Sequence, residues 1–103
     1  MAVTITPAGA STLGPGNTSN PVSMNILANN PASDRILVAT IVSRFRSGKP
    51  TGVTIEGVTA TEAVGGFLSS PASFSYSVWF AAVPSGTSID VAATFPNAAG
   101  AEI

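Results

Sequence analysis

Two stretches set a glycine among small hydroxylated residues, the make-up of a loop that cradles phosphate. They are Ser47-Gly48-Lys49-Pro50-Thr51 and Pro84-Ser85-Gly86-Thr87-Ser88. The full phosphate-loop pattern needs a glycine five positions before Gly48, a Ser or Thr directly after the lysine, and a following helix whose N-terminus faces the anion. Ser43 and Pro50 occupy those two places. After the second stretch the residues alternate with period two, as a strand does, and the stretch reads as the connection of a hairpin. Neither is a nucleotide site.

Hydrolysis by paired carboxylates would draw on Asp34, Glu56, Glu62, Asp90 and Glu102. They are scattered over turns, strand ends and an outward strand position, which solvated ends explain more simply. The chain has no Cys and no His. That removes the thiol nucleophile, Cys/His zinc sites and the usual near-neutral general base. A Ser-Lys pair would depend on Lys49, the single lysine, and no calcium-loop spacing of acids occurs. No catalytic residue, metal site or cofactor is expected. Asn17-Thr18-Ser19 matches the glycosylation triplet, which means little without a secretory signal.

Two features stand above this background. Arg44, Arg46 and Lys49 place three of the four cations within six residues, with Phe45 among them, at the end of the longest apolar run. They form either a solvated strand end or a contact for an acidic patch on a partner. Trp79, alternating with serines, suits an interface anchor or a sugar-stacking platform, or is covered by a loop of its own domain.

The elements that would position these residues follow from composition. Charged residues make up 9% of the 103, against roughly 25% in an average soluble domain, and mean hydropathy is +0.41. Four basic and five acidic side chains cannot cover such a surface. Either a membrane or other protein must take up the remainder. No window approaches 18 uninterrupted apolar residues, and MAVTITPAGAS lacks the basic and apolar parts of a secretory signal. A net charge of −1 gives no general attraction to nucleic acid. An assembly subunit made in the cytoplasm is expected.

Clusters of Gly, Pro, Ser, Thr and Asn separate short runs rich in Val, Ile, Thr and Phe, without helical periodicity. Residues 1–103 read as one domain: an all-β antiparallel sandwich, jelly-roll or immunoglobulin-like, of about seven strands. Ala2–Thr6 alternates, and Pro7–Asn20 is a long loop or arm. Val22–Ala28 sends Val22, Met24 and Ile26 inward. Arg35–Arg46 is apolar on both faces, so it is central or covered outside. Val53–Thr61 is a hairpin turning at Glu56-Gly57, and Glu62–Pro71 is a soft loop. Ala72–Val83 carries Phe74, Tyr76, Val78 and Phe80 on the face assigned to the core, with Trp79 on the opposite, serine-lined face. Ser88–Phe95 sends Ile89, Val91, Ala93 and Phe95 inward.

The series RILVATIVSRFR, VTIEGVTAT and SYSVWFAAVPSGTSIDVAATF resembles a β-sandwich domain of virion proteins in tailed bacteriophages and gene transfer agents. That pattern has an arginine-led apolar strand, a VTIGGVAAT-like hairpin, and a Trp-x-Ala-x-Val-Pro-x-Gly-Thr-Ser turn leading to a DVxVTF strand. The resemblance covers about Asp34–Phe95 and is most specific over Trp79–Ser88. It implies a part of a tail fibre, head spike or fibre, or capsid decoration protein, and it brings no catalytic residue. Similar domains continue with another apolar strand, whereas this chain gives Pro96–Ile103. Either the chain is the N-terminal part of a longer protein or a neighbour completes the sheet.

The expected function is therefore a capsid decoration or cement subunit of the virion. It would bind the major capsid protein and form homo-oligomers, with a trimer favoured, and engage neither nucleic acid nor membrane. The alternative is a tail-fibre or head-fibre module that anchors the fibre or binds host-surface glycan through Trp79.

Overall fold

The computed structural model describes residues 9, 20–28, 31–44, 48–68 and 74–96, the side chains of 44, 67 and 68 excepted. Seven strands follow in chain order: β1 (Val22–Leu27), β2 (Ile36–Arg44), β3 (Gly52–Ile55), β4 (Val58–Thr59), β5 (Thr61–Leu68), β6 (Phe74–Ala82) and β7 (Ser88–Thr94). They form two antiparallel sheets, ordered β1-β7-β3-β4 and β2-β6-β5, with no helix among the described residues. The all-β sandwich expected from the turn punctuation is present.

The first sheet obeys the period-two pattern. Val22 faces Ala93, Met24 faces Val91 and Ile26 faces Ile89; all but the half-buried Met24 belong to the core or pack against it. Val53 and Ile55 of β3 continue that face, and Ile55 is among the most deeply buried side chains. The other face carries Ser23, Asn25, Ser88, Asp90 and Thr94 together with Leu27 and Ala92, so water contacts mostly polar groups there. β3 and β4 form the expected hairpin. Glu56 and Gly57 take φ values of 50° and 76°, the positive pair that lets a two-residue turn match strand twist. Beyond the end of β1, the Asn20 amide substitutes for a ladder pair. Its Nδ2 donates to the Phe95 carbonyl and its Oδ1 accepts from the Phe95 N–H, both at 2.9 Å.

The second sheet reverses one expectation. Phe74, Tyr76 and Phe80 are exposed and Val78 only half-buried, whereas Ser75, Ser77, Trp79, Ala81 and Val83 point into the core. Alternation fixes that two sets of residues lie on opposite faces; it does not say which face is inside. The inward set is Ser75, Ser77, Trp79 and Ala81 on β6 with Leu37, Ala39 and Ile41 on β2, facing the Ile and Val side chains of the first sheet. The hydroxyls carried inside are paired. Ser43 Oγ and Ser75 Oγ lie 2.7 Å apart, and Trp79 Nε1 donates to Ser77 Oγ at 2.8 Å.

Two further expectations are corrected. Residues 62–68, expected within a soft loop, belong to β5, which pairs with β6 from Thr61 opposite Phe80 to Leu68 opposite Phe74. A register shift between Glu62 and Val64 marks a bulge. Gly66 is accommodated because the Tyr76 ring lies over it; a Cβ there would be 2.7 Å from Tyr76 Cζ. The Pro84–Thr87 connection is not a hairpin loop either. β6 belongs to one sheet and β7 to the other, so this segment is a corner that carries the chain across the sandwich. Gly86 turns it with φ 93°.

Of the arm expected over 7–20, Gly9 and Asn20 are described, and Gly9 lies against Ile26 of β1. The expected strand at 2–6 and the tail after Pro96 lie outside the described residues.

Candidate interaction surface

The corner at Pro84–Thr87 is held by a residue far away in sequence. Arg35 Nε donates to the Val83 carbonyl at 2.7 Å, and its Nη2 donates to the carbonyls of Ser85 and Gly86, both at 2.9 Å. A guanidinium is a planar fork of donors that never loses its charge, which suits a cluster of backbone acceptors. The glycine-rich segment that resembled a phosphate loop thus presents carbonyl oxygens to a cation. The arginine opening the apolar strand and the Val-Pro-Ser-Gly-Thr-Ser turn are two ends of one contact.

The sites proposed from sequence are distributed as follows. Trp79 is 6% exposed and sits in the core, so its ring offers no face to a sugar or a partner. The inward serine stripe is what holds it: Ser77 takes its N–H, and small neighbours leave room for the indole. Arg44 ends β2 opposite Phe74, with its side chain outside the described set. Phe45 and Arg46 lie outside the described residues. Lys49 is engaged within the chain, donating to Glu62 Oε1 at 2.8 Å.

The carboxylates have separate tasks. Glu62 pairs with Lys49, and Asp90 Oδ1 accepts from Asn25 Nδ2 at 2.8 Å on the polar face of the first sheet. Glu56, in the turn between β3 and β4, donates its N–H to the Asp90 carbonyl at 2.7 Å, and both side chains are exposed. Among the described residues no three His, Cys, Asp or Glu side chains come together to hold a metal.

The surface that composition required, and that no single motif announced, is the outer face of the β2-β6-β5 sheet. Its rungs run Ile36–Ala82, then Val38–Phe80–Thr61, Thr40–Val78–Val64 and Val42–Tyr76–Gly66. Val38 is 65% exposed, Ile36 and Val64 each 54%, and Tyr76 45%. These rungs carry no charged residue, and the next one, Arg44–Phe74–Leu68, places Arg44 at the end of the same stripe. The signal in the sequence was the run Ile36–Val42, apolar on both faces. Among the described strands β2 lies at the edge of its sheet, so a central position there does not explain its second apolar face.

No family model matches the chain, and neither a curated protein nor a solved structure matches it.

Proposed function

We propose that this chain is a non-catalytic structural subunit of a bacteriophage virion, a decoration or cement protein that binds the major capsid protein. One observation carries the structural part of the reading: an apolar sheet face, free of charge from Ile36 to Val42, exposed on the outside of the sandwich. A face of this kind favours permanent burial over exchange with solvent. The sequence resemblance over Asp34–Phe95 supplies the virion, and the Arg35 contact with the Val83–Gly86 corner gives a physical reason for two parts of that pattern to occur together.

The mechanism is burial rather than chemistry. Each subunit adds a modest apolar contact, and repetition over a shell multiplies it, at about 25 cal/mol per Å² of apolar area covered. The partner is protein, at the surface of an assembled particle, and neither nucleic acid nor a membrane is required.

Cryo-EM of the virion with this chain labelled is the test. Density on the shell surface, contacting capsid subunits, is the expected result. Density confined to a tail or head fibre would replace the cement role with a fibre role, and absence from particles would end the reading.

A further inference from the structure

We propose that β2 is a strand-addition edge, and that its occupant is β2 of a second copy, paired antiparallel about a two-fold axis. The inference goes beyond the proposed function and holds whatever the subunit is attached to.

One ladder bond fixes where the free hydrogen-bonding groups of β2 point. The Val83 N–H donates to the Arg35 carbonyl at 3.2 Å, so these opposite residues are a hydrogen-bonded pair. Along the same register the bonded pairs recur at Leu37–Ala81, Ala39–Trp79, Ile41–Ser77 and Ser43–Ser75. Ile36, Val38, Thr40 and Val42 therefore turn their N–H and C=O groups away from β6. Among the described residues no strand pairs with β2 on that side. A row of alternating donors and acceptors fits one kind of ligand, an extended polypeptide backbone.

The other edges of the sandwich are protected. β4 is two residues long. β5 carries a bulge, the pair Gly65-Gly66 and the half-buried charge of Glu62, each of which discourages pairing. β1 is six residues long, and the chain at Gly9 lies against it, where a Cβ would be 3.0 Å from Ile26 Cγ2. β2 runs for nine residues in unbroken register, with no Gly, Pro or charge before Arg44.

Those features define the occupant. A strand laid on β2 runs beside the exposed stripe of Val38 and Val42 and the inward stripe of Leu37 and Ile41. It must be uncharged, apolar on both faces, and in possession of a free edge of its own. Among the described strands β2 alone meets all three conditions. Antiparallel pairing about Thr40 sets Val38 opposite Val42 and Thr40 opposite Thr40, β-branched pairs that favour a sheet. It also brings the Arg44 end of each copy to the Asp34 end of the other and keeps the two Arg44 ends apart. An isologous contact of this kind closes at two chains. The product is one continuous sheet, β5-β6-β2-β2-β6-β5, with the apolar outer stripes of both copies on the same side.

Sedimentation equilibrium and amide exchange on the full chain test this. The wild type is expected at the mass of two chains, with the Val38, Thr40 and Val42 amides protected in the dimer and exchanging freely once dilution separates it. Val38→Pro removes a donor on the free side, where an edge strand tolerates proline. The loss occurs in both copies, and association should weaken roughly 30-fold or more. Val38→Thr keeps the N–H and should keep the dimer. Val64→Lys, on β5 at the opposite edge of the sheet, should leave the mass unchanged. Val42→Pro repeats the test should Val38→Pro fail to fold, and the wild-type exchange pattern decides if neither folds. A monomeric or trimeric wild type, protection of these amides in the monomer, or a dimer indifferent to both prolines would overturn the inference. Dissociation by Val64→Lys would overturn it too, by placing the contact on the sheet face. A monomer that binds purified shells would remove strand pairing and keep the proposed function. A dimer without affinity for shells would do the reverse.

Discussion

Arg35 and Val83 are joined twice: Arg35 Nε donates to the Val83 carbonyl at 2.7 Å, and the Val83 N–H donates to the Arg35 carbonyl at 3.2 Å. The guanidinium then extends the contact to Ser85 and Gly86. A side chain at the start of one strand thereby fixes the place where the chain leaves its sheet for the other.

Arg35→Ala removes that cation from the backbone carbonyls it serves. Hydrogen bonds to charged groups contribute more than neutral ones, and the outer two here are exposed, so the expected loss is about 2–3 kcal/mol in urea unfolding. For a domain of this size each kcal/mol lowers Tm by roughly 4–8 °C. Arg35→Lys should recover only part, because a point ammonium cannot reproduce the fork. A loss below about 0.5 kcal/mol would show that the corner holds itself.

Ser43 and Ser75 form a buried hydroxyl pair inside the second sheet. Either single alanine substitution strands the remaining hydroxyl and is expected to cost about 1–2 kcal/mol. Replacing both with alanine removes the polar group entirely and should cost less than the sum of the two singles. Strict additivity in a double-mutant cycle would mean the hydroxyls act independently.

Gly66→Ala places a Cβ where the Tyr76 ring lies. The ring is half-exposed and can swing, so the expected cost is about 1 kcal/mol rather than unfolding. In a Tyr76→Ala background the same change should be close to neutral. If Gly66→Ala costs the same with and without the ring, strand backbone rather than the ring demands glycine.

Lys49→Ala breaks the ion pair with Glu62, whose side chains are 39% and 27% exposed. Partial solvation limits the pair, and the coupling in a Lys49→Ala, Glu62→Gln cycle should be about 0.5–1 kcal/mol and shrink in high salt. A salt-insensitive coupling would indicate packing of the lysine stem against the sheet.

Much of this architecture is legible along the chain, and the illegible parts share a cause. The Glu56-Gly57 hairpin is local: two positive φ values close it, and the residue types announce them. The inward stripes of β1 and β7 are also legible, because the alternative stripes are polar. On β6 both stripes carry aromatic residues, and alternation alone does not say which stripe the opposite sheet covers. Gly65 and Gly66 disguise β5 as a loop, since their strand conformation depends on pairing with β6 and on Tyr76 from that neighbour. The corner after Val83 announces a turn but not the sheet its next strand joins. Arg35, its anchor, lies 48 residues away from Val83. The exposed apolar face appeared only as an excess of apolar residues on β2, with nothing to say which side was open.

The strand order has a bearing on how the protein is made. Among the described residues β1 pairs only with β7, and β7 lies between β1 and β3. On the ribosome the segment Val22–Leu27 emerges early and waits without a partner until Ser88–Thr94 follows it out. Until then the four-stranded sheet exists at most as its β3–β4 hairpin, and half of the sandwich core has nothing opposite it. Synthesis therefore delivers a second sheet, apolar on its outside, before the first one can close. A nascent chain in that state has a strong reason to meet a holdase, or a sibling chain on the same message, before it is complete.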